Sequence, residues 1–170
     1  MLLPESLVQA AAEKKKSKPP LHLWNPPFCG DIDIRIAADG SWYHEGTRFQ
    51  RPALVDLLAS ILKLEGGEYF LVSPVEKVRI QVEDAPFVAM RYRELHSNGQ
   101  SVLEFETNVG DSFCLDQEHP LRVVVNEQTG EPRPYIMVRD GLEALVHRNV
   151  FYQLIEQAQS EQTAAGLRVR

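Results

Sequence analysis

Asn98-Gly99, set between two runs of alternating residues, constrains the fold of this chain more than any other stretch. Both residues accept the left-handed backbone that a two-residue hairpin turn demands, and such a turn fixes the register of its strands. Ser97 then pairs with Gln100, and counting outward sets Tyr92 opposite Phe105, Met90 opposite Thr107, Arg93 opposite Glu104 and Arg91 opposite Glu106. One face of the hairpin is apolar. The other is a ladder of opposite charges, each pair contributing about 0.2–1 kcal/mol, which accounts for Arg91 and Arg93 without a ligand.

The same period of two recurs along the chain. Ile32, Ile34 and Ile36 alternate with Asp31, Asp33 and Arg35, which reads as a half-buried strand ending at Asp39-Gly40. A two-residue turn there sets Tyr43 beside Ile36. A three-residue loop with Gly40 in the left-handed region sets Trp42 there instead, and is preferred because it buries the larger apolar group. Residues 46–49 make a short strand. Arg51-Pro52 opens a helix with Leu54, Val55, Leu58, Ile61 and Leu62 as its apolar stripe, stopped by Gly66-Gly67. Strands follow at Tyr69–Val72 and over Val78, Ile80 and Val82, with Lys77, Arg79 and Gln81 on the wet face. Beyond the Asn98-Gly99 hairpin, Arg122–Val125 and Pro134–Arg139 flank a polar turn. Ala144–Val146 adds a strand, and a last helix spans Arg148 to Gln159.

The two helical stretches echo one another. Arg51, Leu54, Val55, Leu57 and Leu58 correspond, 97 residues on, to Arg148, Phe151, Tyr152, Leu154 and Ile155. An echo of this kind suggests a duplication with its boundary at the Ser73-Pro74 corner. Two lobes so joined have a cleft with that corner and Lys77 in its floor, and such junctions favour pockets.

Composition narrows the function classes. The 170 residues, 44% hydrophobic and 25% charged, are enough for a sizeable core without disulfides or metals. A formal charge of −6 argues against a long nucleic-acid polymer as partner. Lys14, Lys15, Lys16 and Lys18 lie in the first 20 residues, so the tail is basic and the body acidic. With no 18-residue apolar run and no secretory pattern, the chain reads as cytoplasmic with no membrane partner. Cys29 and Cys114 read as reduced packing residues. Neither they nor His22, His44, His96, His119 and His147 fall at metal-ligand spacing, so no metal and no cofactor is expected. No Gly-rich phosphate loop, HExxH, GxSxG or GxGxxG occurs.

Several ordered stretches together resemble a bacterial family, the domain of unknown function 1285. They are Cys29-Gly30-Asp31-Ile32-Asp33-Ile34, Asp39-Gly40-Ser41-Trp42, the Arg51 helix, and Leu71-Val72-Ser73-Pro74-Val75-Glu76-Lys77. Further on come Phe105-Glu106-Thr107-Asn108, His119-Pro120-Leu121, Pro134-Tyr135 and Leu142-Glu143-Ala144-Leu145-Val146 with Arg148. The resemblance implies an α+β protein with an internally duplicated core. Its C-terminal half would look superficially like a pleckstrin-homology barrel closed by a helix. It also implies a nucleic-acid-derived ligand at the interface of the two halves and a part in signal transduction.

The expectation is therefore two related β-rich lobes, each closed by a helix, over 21–75 and 76–160, with frayed tails at 1–20 and 161–170. The function expected is non-enzymatic binding of a nucleotide-like ligand between the lobes. Candidate ligand-binding residues are Lys77, Thr107, Asn108, Arg139, Arg148 and His119: cations for phosphate, and a hydroxyl and an amide at a strand end. Each has a structural reading beside it, such as a surface ion pair for Lys77, a turn for Asn108 and carbonyl capping for Arg148. Two other classes use the same residues. A protein-interaction adaptor would work through an exposed apolar patch or the Pro-rich segment around Trp24, and a small hydrolase would use His119 with nearby carboxylates.

Overall fold

A computed structural model of the chain describes residues 20–165. The basic tail and the last residues of the C-terminal tail lie outside the described residues. Two compact units emerge: residues 20–86 with the Arg139–Leu142 turn, and residues 87–138 with 143–165.

The first unit starts with a 3-10 turn at Leu21–Leu23, whose Leu21 is buried. Trp24, in the Pro-rich segment that follows, is half-buried. The chain then runs through β1 (Phe28–Ile36), β2 (Trp42–His44), β3 (Thr47–Arg48), α1 (Pro52–Ala59), β4 (Leu62–Glu65), β5 (Glu68–Val72) and β6 (Lys77–Val82). These form one six-stranded sheet in the order β3-β2-β1-β6-β5-β4, with β1 and β6 parallel at its centre. Ile34, Ile36, Trp42, Leu58, Ile61, Leu62 and Leu71 fill the core. Ile36 faces Trp42, as the three-residue loop requires.

Two expectations change here. The helix ends at Ala59, and Gly66-Gly67 is the turn of the β4–β5 hairpin, not a helix stop. The alternation Leu62-Lys63-Leu64-Glu65 suits a strand with one buried face, and it overrides the helical reading of Leu62. The boundary also moves. β6 belongs to the first sheet through its pairing with β1 and β5, so residues 76–82 are not part of the second lobe.

The rest of the chain runs through β7 (Phe87–Ser97), β8 (Gln100–Thr107), β9 (Ser112–Cys114), β10 (Leu121–Val125), β11 (Pro132–Arg139), β12 (Leu142–Val146) and α2 (Arg148–Ala165), and makes up the second unit except for the Arg139–Leu142 turn, where β11 meets β12. Its sheet order is β10-β11-β12-β7-β8-β9, with β12 and β7 parallel at the centre. Asn98 and Gly99 take the left-handed backbone at φ 52° and 76°. Ser97–Gln100, Arg93–Glu104, Tyr92–Phe105 and Arg91–Glu106 pair as counted. Thr107 faces Ala89 instead of Met90, because a bulge between Ala89 and Arg91 leaves Met90 extra and 43% exposed. Phe87, Phe105, Ile136 and Leu142 are fully buried. α2 lies along β7, with the Tyr92 hydroxyl donating to Gln157 at 3.0 Å, and it runs past the expected end at Gln159.

Numbered from its own first strand, each sheet has the order 3-2-1-6-5-4. The duplication is therefore real in the strands. It maps Asp39-Gly40 onto Asn98-Gly99, a shift of 59 residues, and not Arg51 onto Arg148. α1 falls between the third and fourth strands of its sheet, whereas α2 follows the sixth. The helical echo arises from two amphipathic helices with similar faces and does not mark equivalent places.

Candidate functional site

On the first sheet, burying Ile32, Ile34 and Ile36 turns Asp31, Asp33 and Arg35 to the opposite, wet face. The parallel neighbour β6 adds Lys77, Arg79 and Gln81 by the same alternation. Gly30, at φ 109°, sits in a register shift between Phe28 and Asp31. A regular strand would send residues three apart to opposite faces. The shift lets the Phe28 ring and the Asp31 carboxylate both reach Arg79.

Arg79 is the centre of this face. Its Nε and Nη2 donate to Asp31 at 2.5 and 3.2 Å, and its Nη1 donates to both oxygens of Glu68 at 3.2 and 3.1 Å. Its guanidinium lies 5.2 Å from the Phe28 ring centroid, and Phe28 meets Phe70 edge-on. Hydrogen bonding from Arg79 holds the Asp31 carboxyl below its ordinary range, and the two carboxylates push Arg79 further up. A groove of about 910 Å³ opens over β1, β5 and β6, lined by Asp31, Asp33, Glu68, Arg79, Gln81 and Glu83 among others. Donors from an arginine fork, an amide, and an excess of carboxylate acceptors therefore line one small-molecule-sized space.

The residues singled out in the sequence are held elsewhere. Lys77 lies on the same sheet, with its Nζ 3.2 Å from Glu65 and 4.8 Å from the Phe70 ring centroid. Thr107 is buried, and its Oγ1 accepts from the Val109 and Asp111 amides at 3.3 and 3.1 Å. Asn108 accepts from the Val88 amide through Oδ1 at 2.9 Å. Arg139 donates to the Ala59 and Leu62 carbonyls at 2.6 and 3.4 Å, the carbonyl-capping role considered for Arg148. Arg148 itself pairs with Glu131. His119 bonds Asp116 through Nδ1 at 2.8 Å, which lowers the Asp116 pKa, and stacks on Phe113 at 5.0 Å. Within the second unit, Thr107 and Asn108 come together at Ala89 and Val88, whereas Arg148 is directed to Glu131. His119 lies instead beside β9, and Lys77 and Arg139 belong to the first unit. Among the described residues no group of three or more His, Cys, Asp or Glu side chains is disposed to hold a metal. Cys29 and Cys114 are free, and Cys29 is exposed rather than packed.

Sequence reasoning missed Arg79, Asp31 and Glu68. Their signal was present as wet-face alternation, but their meeting depends on a parallel pairing between strands far apart in sequence, which no turn announces.

Comparison with known proteins matches two family models end to end. Residues 19–85 match the N-terminal domain of the DUF1285 domain of unknown function, and residues 86–169 match the C-terminal domain of the DUF1285 protein of unknown function. The models meet within one residue of the main break between the two units, and only the Arg139–Leu142 turn falls in the C-terminal model and the first unit. A crystal structure of a DUF1285 family protein from Silicibacter pomeroyi DSS-3 is similar at 49% identity and a TM-score of 0.79, covering 91% of this chain and 85% of that one. One from Shewanella baltica OS155 is similar at 30% identity and a TM-score of 0.59, covering 73% of this chain and 91% of that one. No curated protein matches.

Proposed function

Because this chain belongs to the DUF1285 family, whose models assign domains and no chemistry, we propose from its own geometry that it is a non-enzymatic binding protein for a small nucleic-acid-derived ligand. The ligand is held by its base in the groove of the first unit. The observation that carries this reading is Arg79, its guanidinium between Asp31 and Glu68, in a groove of about 910 Å³. On exchanging Glu68 for the base, the Arg79 fork suits the O6 and N7 acceptors of a guanine edge, and the released Glu68 carboxylate suits its amino donor. Gln81, in the same wall, can both donate and accept.

Charge refines the ligand class. Asp31, Asp33, Glu68 and Glu83 outnumber Arg79, so a phosphate entering this groove meets like charge while a nucleoside does not. The cation first considered for phosphate, Lys77, is not among the residues lining this groove and meets Glu65 and Phe70 instead. The reading keeps a cytoplasmic signalling role and a pleckstrin-homology likeness for the second unit, as the family resemblance implies. A six-stranded sheet followed by a C-terminal helix supports that likeness. Among the described residues no helix is long and apolar enough to cross a membrane.

Thermal unfolding tests the reading against a panel of nucleosides, mononucleotides, cyclic nucleotides and short single strands. A ligand at about 100 times its Kd adds about 2.7 kcal/mol, a shift of several degrees. We expect a guanine nucleoside to shift the transition more than its monophosphate, the shift to vanish in Arg79→Ala, and Lys77→Ala to keep it. A flat panel, or a shift that grows with phosphate number and disappears in Lys77→Ala, overturns it.

A further inference from the structure

The two sheets have four outer strands, and three of them are protected against pairing. β3 has two residues and β9 three, and the four-residue β4 carries Lys63 and Glu65. Short strands and charged side chains are the usual ways to blunt a sheet edge. β10 is the longest of the four, and its one charged side chain, Arg122, is already paired with Glu143. It reads Leu121-Arg122-Val123-Val124-Val125, with no lysine and no proline, and all five residues are exposed.

Its backbone phase is fixed by its inner neighbour. The Met137 amide donates to the Pro120 carbonyl at 3.0 Å, and the Asn126 amide donates to the Glu131 carbonyl at 2.9 Å. Antiparallel bonding alternates, so the intervening Arg122 and Val124 bond to β11. The N–H and C=O groups of Leu121, Val123 and Val125 point the other way, where no strand follows among the described residues. Leu121 is 39% exposed, Val123 46% and Val125 56%, so an apolar stripe accompanies the open backbone groups. Pro120 and the 126–130 turn limit the edge at either end, so it accepts a short extended segment.

We infer that this edge pairs with the same edge of a second copy of the chain, antiparallel about a two-fold axis at Val123. The strand is complementary to itself in that arrangement. Val123 faces its own counterpart and Leu121 faces Val125, each pair exchanging both backbone bonds, and the six aliphatic side chains form one stripe. Charge agrees. The one charged residue of β10, Arg122, bonds Glu143 at 2.8 and 2.7 Å and covers the Tyr135 ring at 4.6 Å, so it reaches the pairing already neutralised and faces Val124 of the second copy. The contact is small, in the class below about 1,200 Å² of total buried surface, so the dimer is weak and concentration-dependent. It is independent of the groove on the first unit.

The test is sedimentation velocity of the full chain from low micromolar to near-millimolar concentration, with amide hydrogen exchange at both ends of the range. We expect a monomer–dimer equilibrium that is absent in Val123→Lys, which sets two ammonium groups together at the axis. It is absent too in Val123→Pro, which removes an outward N–H without removing a bond to β11. Exchange reads the same event in the unmodified protein: Arg122 and Val124 are protected throughout. Leu121, Val123 and Val125 become protected only at high concentration, by about tenfold when nine chains in ten are paired. A chain monomeric across the range, a dimer unchanged in a folded Val123→Lys or Val123→Pro variant, or protection of those three amides that ignores concentration overturns the proposal.

Discussion

Arg79 bonds two carboxylates and covers an aromatic ring, yet it is a surface group, and those contacts add little to stability because water screens them. Their effect is on protonation. Hydrogen bonds from Arg79 hold the Asp31 pKa down, so the ion pair is fully formed above the unfolded-state value of about 3.9 and is lost as pH falls through the lower, folded value. An NMR titration of the Asp31 carboxyl carbon should therefore report a midpoint below that of an ordinary aspartate. Arg79→Gln should bring the midpoint back up toward the ordinary aspartate range, and an unmoved midpoint would show that Arg79 is not its cause. At this scale the sequence was legible in part. The place after the Ser73-Pro74 corner points to Lys77, and its strand position follows from the Lys77-Val78-Arg79-Ile80 alternation. What alternation alone does not reveal is the neighbour. Lys77 meets Glu65 of β4 and Phe70 of β5, and Arg79 meets Asp31 of β1, through pairings set by the sheet and not by local pattern.

Turn chemistry made the hairpins readable at the level of elements. Asn98-Gly99 fixed a register that holds from Ser97–Gln100 to Arg91–Glu106, and Gly40 selected the loop that buries Trp42. Irregularities were not readable: the Met90 bulge carries no glycine, and Gly66-Gly67 suits a helix stop and a hairpin turn equally. Gly30 is the irregularity on which the groove depends. A Cβ at this position meets nothing within 4 Å, so the obstacle to a side chain is the backbone alone, at φ 109°. Gly30→Ala should cost about 1–3 kcal/mol, read from the denaturant midpoint, because the strained conformation is retained or the register shift is lost. If the shift is lost, Asp31 leaves Arg79, and the Asp31 titration moves upward in the same variant. A Gly30→Ala protein of unchanged midpoint would mean that the bulge does not need glycine.

Over the whole molecule, both sheets join their first strand to their last, β1 to β6 and β7 to β12, around a central parallel pair. Parallel neighbours need a crossover, and here the crossover is the rest of the unit, so neither sheet can close until its last strand is made. This is also why the boundary was misread at the Ser73-Pro74 corner: the corner ends a hairpin strand, and only the long-range pairing of β6 with β1 brings residues 77–82 into the first sheet. The strand repeat is hard to read in the sequence for a related reason. Sheet positions repeat with turns of different length and composition, whereas two amphipathic helices look alike wherever they stand. The topology sets an order of stability. Amides of the central strands, such as Ile34, Ile80, Val88 and Val146, should exchange only on global unfolding, while those of β3 and β9 exchange through local fraying. Ile36→Ala, a cavity at a fully buried position of β1, should cost about 2–5 kcal/mol and speed exchange in β1 and β6 together. The contrary result, in which β2–β3 or β8–β9 amides outlast the central pair in native-state exchange, would mean that local hairpins carry the stability and that the parallel pair closes on sheets already formed.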